Sequence, residues 1–345
     1  MGKKAQLRAG IIGCGKVART LHIPEYLNCE DTEPVAYCDV DRQSIAETVE
    51  RYGERPTYKD YRQMLAEEKL DCVSVCVPNY LHCEVSVSAL DAGVNVLVEK
   101  PMALTLKEAD KMIAAAGKNR KLLMVSQTQR FSAVHKKAKE VIDSDILGDI
   151  LHVTTAFGHP GPEGWSPRGK WFFQKKKAGF GPMADLGIHK ADLVRYLTGK
   201  EVAAISAFTS REEKKNTDVE DNFVSVLRFT DGTLGTLTTS WTVKGMETNY
   251  TYLYCKNGTL AISVIPDRPL VAFVSNPQCV IDFPVPAIQT NIEDTWQLGI
   301  VDNFAATILG REECLVPAEE GRKALAIILA ADEAARTRKT VTVKN

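Results

Sequence analysis

Through its first 125 residues the chain alternates short apolar runs with amphipathic stretches. The runs RAGII (8–12), PVAYCD (34–39), DCVSVCV (71–77), VNVLVE (94–99) and KLLMVS (121–126) predict strands. The stretches 15–22, 41–52, 80–92 and 106–118 predict the helices between them. Several strand runs are continuously apolar rather than alternating, as expected where helices cover both faces of a parallel sheet. Repeated strand–helix units then predict a doubly wound α/β domain over 1–127.

Beyond residue 130 the pattern changes. A helix at 133–143 leads to a strand at 150–157, a loop rich in Gly, Pro, Trp and Lys (158–182), and a helix at 184–198. Strands follow at 202–209, 222–229, 233–243, 249–255 and 259–265. Asp231-Gly232-Thr233 and Asn257-Gly258-Thr259 are hairpin turn signals, because these dipeptides tolerate positive φ. Helices at about 293–309 and 318–337 and a short VTV strand close the chain. The expectation for 128–345 is an α+β domain with a large, mostly antiparallel open sheet. The last helix is expected to be able to pack back near the first domain.

Charge narrows the partners. Lys plus Arg number 43 and Asp plus Glu 44, a net charge of −1, so there is no global attraction to nucleic acid or an anionic membrane. No apolar run reaches the roughly 18 residues of a membrane span. The lead MGKKAQLRAGIIGCG lacks the apolar core of a signal peptide, and Gln6 stands where a myristoylation signal wants Ser or Thr. The nine cysteines are odd in number and lie mostly in apolar runs, which suggests buried hydrophobes in a reducing, cytoplasmic setting. Cys72 and Cys76 share a strand face, but no second pair with zinc spacing accompanies them, and no metal is expected.

The first turn carries chemistry. Gly13-Cys14-Gly15-Lys16-Val17-Ala18 is G-x-G-x-x-A, placed after the first strand and opening the first helix. Gly13 permits the turn, Gly15 lets the backbone approach a pyrophosphate, Ala18 keeps helix and strand close, and the helix N-terminus offers free N–H groups. Asp39 ends the second strand, where a carboxylate binds ribose hydroxyls. Its charge favours NAD over NADP, although Arg42 could accommodate a 2′-phosphate instead.

The run at 94–99 ends in Glu99-Lys100-Pro101. In open α/β sheets ligands bind beyond the carboxyl ends of the strands, so Glu99 and Lys100 stand at the ligand face, and Pro101 keeps Lys100 out of helix. A solvated strand end would also be charged. Farther on, Asp185, His189 and Asp192 lie at i, i+4 and i+7, which on a regular helix share one face. An imidazole between carboxylates suits a general base. The same spacing fits a surface cluster, a helix cap or a metal site.

Glu99-Lys100-Pro101, the glycine turn and MADLGIHKADL together resemble the Gfo/Idh/MocA oxidoreductases. The resemblance is collinear over essentially the whole chain, through VPNYLHCEVSVSALDAGVNVLVEKP, SQTQRF, AKEVIDSDILGDI, DNFVSVLRFTDGTLGTL and EEGRKALAIILAADEAARTRKTVTV. It implies an N-terminal Rossmann domain and a dehydrogenase acting on a secondary hydroxyl of a cyclic polyol or sugar. It implies that Lys100, Asp185 and His189 line the substrate pocket, with Asp192 as a substrate contact. His189 takes the hydroxyl proton, Lys100 binds the same oxygen, and Asp185 orients His189 or holds a neighbouring hydroxyl. Pro78, Asn79, His82 and Gln127 are expected to touch cofactor, although His82 alone also reads as an ordinary helix-terminus histidine. His22, His135 and His152 are expected to be ordinary. The resemblance also implies a homodimer or homotetramer through the open sheet, to which Val224, Val226, Leu234, Leu237 and Trp241 offer apolar surface.

The chain departs from the family pattern in Gly179-Phe180-Gly181-Pro182, where a run of glycines is frequent, and in Thr128-Gln129, where Asn is frequent. The loop 158–180 is the expected specificity element, with His159, Arg168, Lys170 and Trp171 as candidates to reach substrate and Trp171 as a stacking face. Lys175–Lys177 reads as a solvated run or an anion site. Two alternatives are a glycosidase using transient hydride transfer with tightly held NAD, and a non-catalytic dinucleotide-binding regulator.

Overall fold

A computed structural model describes residues 6–265, 267–285, 289–290 and 296–344. The chain forms two compact units, Met1–Gln127 with Ile288–Arg322, and Thr128–Ala287 with Lys323–Asn345.

In the first unit the strands are β1 (Leu7–Ile12), β2 (Thr32–Cys38), β3 (Thr57–Tyr58), β4 (Cys72–Val75), β5 (Asn95–Val98) and β6 (Leu123–Val125). They form one parallel sheet in the order β3-β2-β1-β4-β5-β6. Ile11, Ile12, Val73, Val75, Val96, Leu97 and Val98 are buried, which is why these runs do not alternate. The strand order reverses between β1 and β4, so the crevice for a ligand opens beyond their carboxyl ends. The connecting helices are α1 (Ile23–Asn28), α2 (Arg42–Tyr52), α3 (Tyr61–Glu67), α4 (His82–Asp91) and α5 (Leu106–Asn119). The short β3 and α3 were not foreseen.

The first helix does not end at 22 as expected. A π-turn over Ala18–His22, closed by the Ile23 N–H on the Ala18 carbonyl, carries the chain on into α1. Pro24 follows directly and has no N–H to continue the regular ladder, which favours the wider turn there.

The segment 288–322 joins this unit through Glu25. Its carboxylate accepts the N–H groups of Leu298 (2.6 Å), Gly299 (3.1 Å) and Val301 (2.8 Å). The free N–H groups at the start of a helix thus meet an anion.

The second unit contains β7 (Ile150–Gly158), β8 (Val202–Ser210), β9 (Asn222–Phe229), β10 (Leu234–Ser240), β11 (Thr248–Cys255), β12 (Gly258–Ile265), β13 (Arg268–Ser275) and β14 (Gln278–Asp282). The short ladder of β15 (Gln289–Thr290) and β16 (Trp296–Gln297) falls in the first unit, and β17 (Val341–Thr342) closes an edge of the large sheet. The nine-stranded order is β14-β13-β12-β11-β7-β10-β9-β8-β17, antiparallel except where β7 pairs with β10. The β13–β14 hairpin was not foreseen, because Pro269 and Pro277 interrupt the apolar pattern; the structure puts Pro277 in the turn.

Helices α6 (Ala133–Asp143), α7 (Lys175–Ala178) and α8 (Ile188–Thr198) belong here, α9 (Ile300–Ile308) to the first unit, and α10 (Ala318–Thr337) to the first up to Arg322 and to the second from Lys323. The expected start of α9 near 293 lies outside the described residues. Strand β9 alternates strictly. Phe223, Ser225, Leu227 and Phe229 are buried, while Val224 and Val226 are exposed. Of the five apolar positions expected across the faces of the sheet, Leu237 and Trp241 are fully buried, while Val224, Val226 and Leu234 build the outward face with Phe208, Phe273 and Val280. Among the described residues no helix is long and apolar enough to cross a membrane.

Candidate active site

In the first unit the glycine turn is fixed by two positions. Gly13 has φ +91°, and a Cβ there would stand 2.5 Å from the Cys76 carbonyl oxygen. Above Gly15 a Cβ would meet nothing within 4 Å, so the backbone is open on the side a pyrophosphate would take. Asp39 is pinned to this turn. Its Oδ2 accepts the Cys14 N–H at 2.7 Å and its Oδ1 the Asp41 N–H at 2.8 Å. The remaining lone pairs can accept ribose hydroxyls. Cys14 and Ala18 are fully buried and act through backbone and packing; burial pushes the Cys14 thiol far up, so it is inert. Lys16 and Arg42 are exposed, and Val17 is half-buried.

At the end of β4, Pro78 is half-buried and Asn79 buried. His82 corrects an expectation. Its ring is fully buried, with Nδ1 2.7 Å from the Pro101 carbonyl and Nε2 2.8 Å from that of Val77. It staples two loop segments together and has no surface for cofactor. Burial pushes its pKa down.

Lys100 is half-buried at the carboxyl end of β5, and its peptide bond to Pro101 is cis. Glu99 lies behind it. Its Oε1 is 2.8 Å from His22 Nε2, and its Oε2 accepts the Lys100 N–H at 3.2 Å. Burial opposes the carboxylate, but His22 and Lys100 outweigh it and hold the group at about 2. Glu99 is thus engaged by protein partners, and His22, expected to be ordinary, stands directly behind the site. Beyond β6, Gln127 is 1% exposed, and neither atom of its amide has a hydrogen-bond partner. A buried amide left open in this way is what a polar ligand would satisfy. The open backbone at Gly15, the pinned Asp39 and the orphaned Gln127 together fit a dinucleotide.

In the second unit Asp185 lies in a π-turn, Met183–Gly187, closed by the Ile188 N–H on the Met183 carbonyl. Asp185 Oδ2 accepts the Trp241 Nε1–H at 3.0 Å and lies 3.4 Å from His159 Nε2. His159 Nδ1 accepts the Gly161 N–H at 2.9 Å, so the ring proton sits on Nε2, facing Asp185. The ring of Phe157 is 6.2 Å from that of His159 and 6.3 Å from that of His189, and makes a common wall. The start of the turn is anchored by Glu220, whose Oε1 accepts the Met183 N–H at 3.1 Å; burial pushes its pKa up to about 7. A Cβ at Gly181 would fall 1.9 Å from the Glu220 carbonyl oxygen, so no larger residue fits there without a shift.

Asp192 is a second correction. It is 0% exposed and accepts Arg130 Nε at 2.7 Å and Nη2 at 2.6 Å in a bidentate pair. It holds α8 to the segment carrying Arg130 and is out of a substrate's reach. Trp171 is stacked on Phe172 at 3.9 Å, which covers one of its faces. Lys170 and Arg168 are exposed, and Lys175 pairs with Asp332 at 3.3 Å. Among the described residues no group of three His, Cys, Asp or Glu side chains is placed to hold a metal ion.

Comparisons with known proteins agree over both units. Residues 7–127 match the family described as "Oxidoreductase family, NAD-binding Rossmann fold", and residues 135–261 match the "GFO/IDH/MocA C-terminal domain". D-glucoside 3-dehydrogenase of Escherichia coli (strain K12) is 33% identical over 257 residues, 70% of this chain and 72% of that protein. Myo-inositol 2-dehydrogenase of Thermotoga maritima is 30% identical over 240 residues, 68% of each. The crystal structure of aldose–aldose oxidoreductase from Caulobacter crescentus complexed with glycerol matches with a TM-score of 0.84 at 26% identity, over 98% of this chain and 99% of that one. With its glycine turn, its Glu99-Lys100-Pro101 strand end and both of its units matched, the chain belongs to the Gfo/Idh/MocA family of NAD-binding oxidoreductases.

Proposed function

We propose that the chain is an NAD-dependent dehydrogenase that oxidises a secondary hydroxyl on the ring of a sugar or cyclic polyol. The observation that carries this reading is the joint presence of Lys100, Asp185 and His189 in a chain whose relatives act on glucosides and inositol. When bound, NAD supplies the hydride acceptor. Lys100 donates a hydrogen bond to the reacting oxygen and stabilises negative charge there; His189 accepts the hydroxyl proton. Asp185, held by Trp241 and paired with His159, takes a neighbouring hydroxyl. The test is nicotinamide absorbance with NAD, then NADP, against inositols, free sugars, sugar phosphates and nucleotide sugars. Reduction with one class establishes the reading. Silence across the panel, with NAD still bound to the protein, would move the assignment to an NAD-dependent glycosidase or a regulator.

Asp39 supports NAD as the cofactor. Its carboxylate would stand against a 2′-phosphate, and a difference of about 1.4 kcal/mol already gives tenfold discrimination. Fluorescence titration should therefore show NAD binding at least about tenfold more tightly than NADP. A preference for NADP would assign Arg42, not Asp39, the deciding role.

The exposed apolar face of the large sheet is proposed to be covered by a second copy, in a homodimer or homotetramer. Phe208 is 72% exposed, and Val224 and Val226 lie beside it. An apolar sheet face of this kind marks an interaction surface. Sedimentation should give an oligomer, and Val224→Glu with Val226→Glu should shift it to monomer; a wild-type monomer would contradict the proposal. The nine cysteines, all free, suit a reducing cytoplasm.

A further inference from the structure

The connection between β8 and β9 sends Lys214 to the turn beside His159. The local fold of that connection is set by Asp221. Its Oδ2 accepts the N–H groups of Glu213 and Lys214, each at 2.7 Å, and its Oδ1 accepts that of Glu212 at 2.9 Å. With its backbone fixed in this way, Lys214 extends its side chain to the turn after β7. There Nζ donates to the Pro160 carbonyl at 2.9 Å and to Glu163 Oε1 at 2.7 Å.

The Pro160 carbonyl and the Gly161 N–H belong to one peptide group. Lys214 holds the carbonyl, and the N–H donates to His159 Nδ1 at 2.9 Å. The ammonium polarises this peptide and strengthens its N–H as a donor, because linked hydrogen bonds reinforce one another. Gly161 has φ +109°, which a residue with a side chain rarely adopts. A Cβ there would stand 2.5 Å from Glu163 Oε2 and 3.0 Å from Lys214 Nζ. Backbone shape and space at Gly161 are both fitted to the Lys214–Glu163 pair.

A neutral imidazole that accepts a hydrogen bond at Nδ1 carries its proton at Nε2. In His159 that proton faces Asp185 Oδ2, 3.4 Å away, the oxygen that also accepts the Trp241 indole N–H at 3.0 Å. The opposite orientation of the Pro160–Gly161 peptide would turn a carbonyl toward Nδ1. The ring proton would then move to Nδ1, and a bare Nε2 lone pair would face the carboxylate. Peptide orientation and ring tautomer are therefore one choice. We propose that Lys214 is a positioning residue for Asp185: by holding the Pro160 carbonyl it fixes the His159 tautomer that presents an N–H to the Asp185 carboxylate. The consequence for chemistry, a carboxylate set to take a sugar hydroxyl, rests on the reading of Asp185 as a substrate contact. The tautomer itself belongs to the protein without substrate.

The experiment reads His159 directly. The full chain, isotope-labelled at its histidine rings, is compared at pH 9 as wild type, Lys214→Met and Lys214→Arg. Long-range proton–nitrogen spectra separate a bare ring nitrogen from a protonated one, and His159→Asn identifies the signals. The wild type should show Nδ1 bare and Nε2 protonated. In Lys214→Met the two nitrogen shifts should move toward each other as the second tautomer is populated. The Trp241 indole N–H, bonded to the same carboxylate oxygen, should shift with them. Lys214→Arg keeps a charged donor and should restore the wild-type pattern. A lysine that merely stapled the loop would change thermal stability and leave the tautomer in place, so unchanged His159 nitrogens in folded Lys214→Met overturn the proposal. Lys214→Ala puts the same question should Lys214→Met not fold. A protein that shows this signature yet reduces no NAD with any sugar or polyol would sink the dehydrogenase reading and leave the role of Lys214 standing, so the two failures are distinct.

Discussion

Lys100→Ala and His189→Ala are each expected to lower turnover by roughly 10²–10⁴, with the fold intact and the NAD dissociation constant little changed. Lys100 sits half-buried at the end of β5, where its strand register, the Glu99 carboxylate on its own N–H and Pro101 after it fix the backbone independently of its side chain. Truncating the side chain therefore removes a hydrogen-bond donor and leaves its setting in place. His189 sits on α8, whose position is held by the Arg130–Asp192 pair and by the packing of Leu193, Val194 and Leu197. A helix held in this way survives loss of one half-buried imidazole. The loss should appear in turnover rather than in nucleotide affinity, because neither side chain supports the glycine turn or Asp39. Steady-state rates and a cofactor titration on the same preparations check both statements. Near wild-type turnover in both variants would mean that another residue moves the proton.

Asp192 shows how far local spacing carries such an assignment. Its spacing of i+7 from Asp185 predicts one shared helix face, yet its partner is Arg130, 62 residues back in the chain. Asp185 is bonded by Trp241, 56 residues on, and His22 meets Glu99, 77 residues on. A periodic pattern records which face of an element is apolar. It does not record which distant side chain a polar residue will find. For the same reason the parallel sheet, the alternating β9 and the glycine turn were legible, since each is written in neighbouring residues. The two π-turns were not. Each stands beside a proline, Pro24 after the first and Pro182 before the second, in a helix that composition alone describes as regular. The second matters to the site, because it carries Asp185, whose carboxylate lies 3.4 Å from His159 Nε2. The hairpin β13–β14 was hidden in the opposite way, by prolines that sit at its margin and turn rather than inside its ladder.

Lys190→Met is expected to stabilise the protein, and to do so more at pH 7 than at pH 10. Lys190 directly follows His189, is 0% exposed, and its Nζ has no hydrogen-bond partner. The ring of Phe157 stands 5.8 Å from Nζ, too little to replace the hydration of an ammonium. Burial pushes its pKa down to about 7, against a weaker opposing pull from Glu247. A base whose folded-state pKa lies below its unfolded value of 10.5 lets the unfolded chain bind the extra proton between those two values. Stability therefore rises with pH from about 7 to 10.5, by up to about 1.4 kcal/mol per unit, and the full penalty is present below 7. Methionine has nearly the same length and carries no proton, so the variant escapes that penalty. Denaturant unfolding of both proteins should show a gap of several kcal/mol at pH 7 that narrows toward pH 10. His135 sharpens the test. Burial and the Lys190 charge together push it down to about 3, so the wild type loses further stability as the pH falls below 6.5. With the ammonium gone, His135 should protonate at a higher pH, and that acid-side loss should shrink. A gap that stays constant from pH 6 to pH 10 would show that Lys190 titrates as an ordinary solvated lysine, and the buried amine beside His189 would then have to be reached by water.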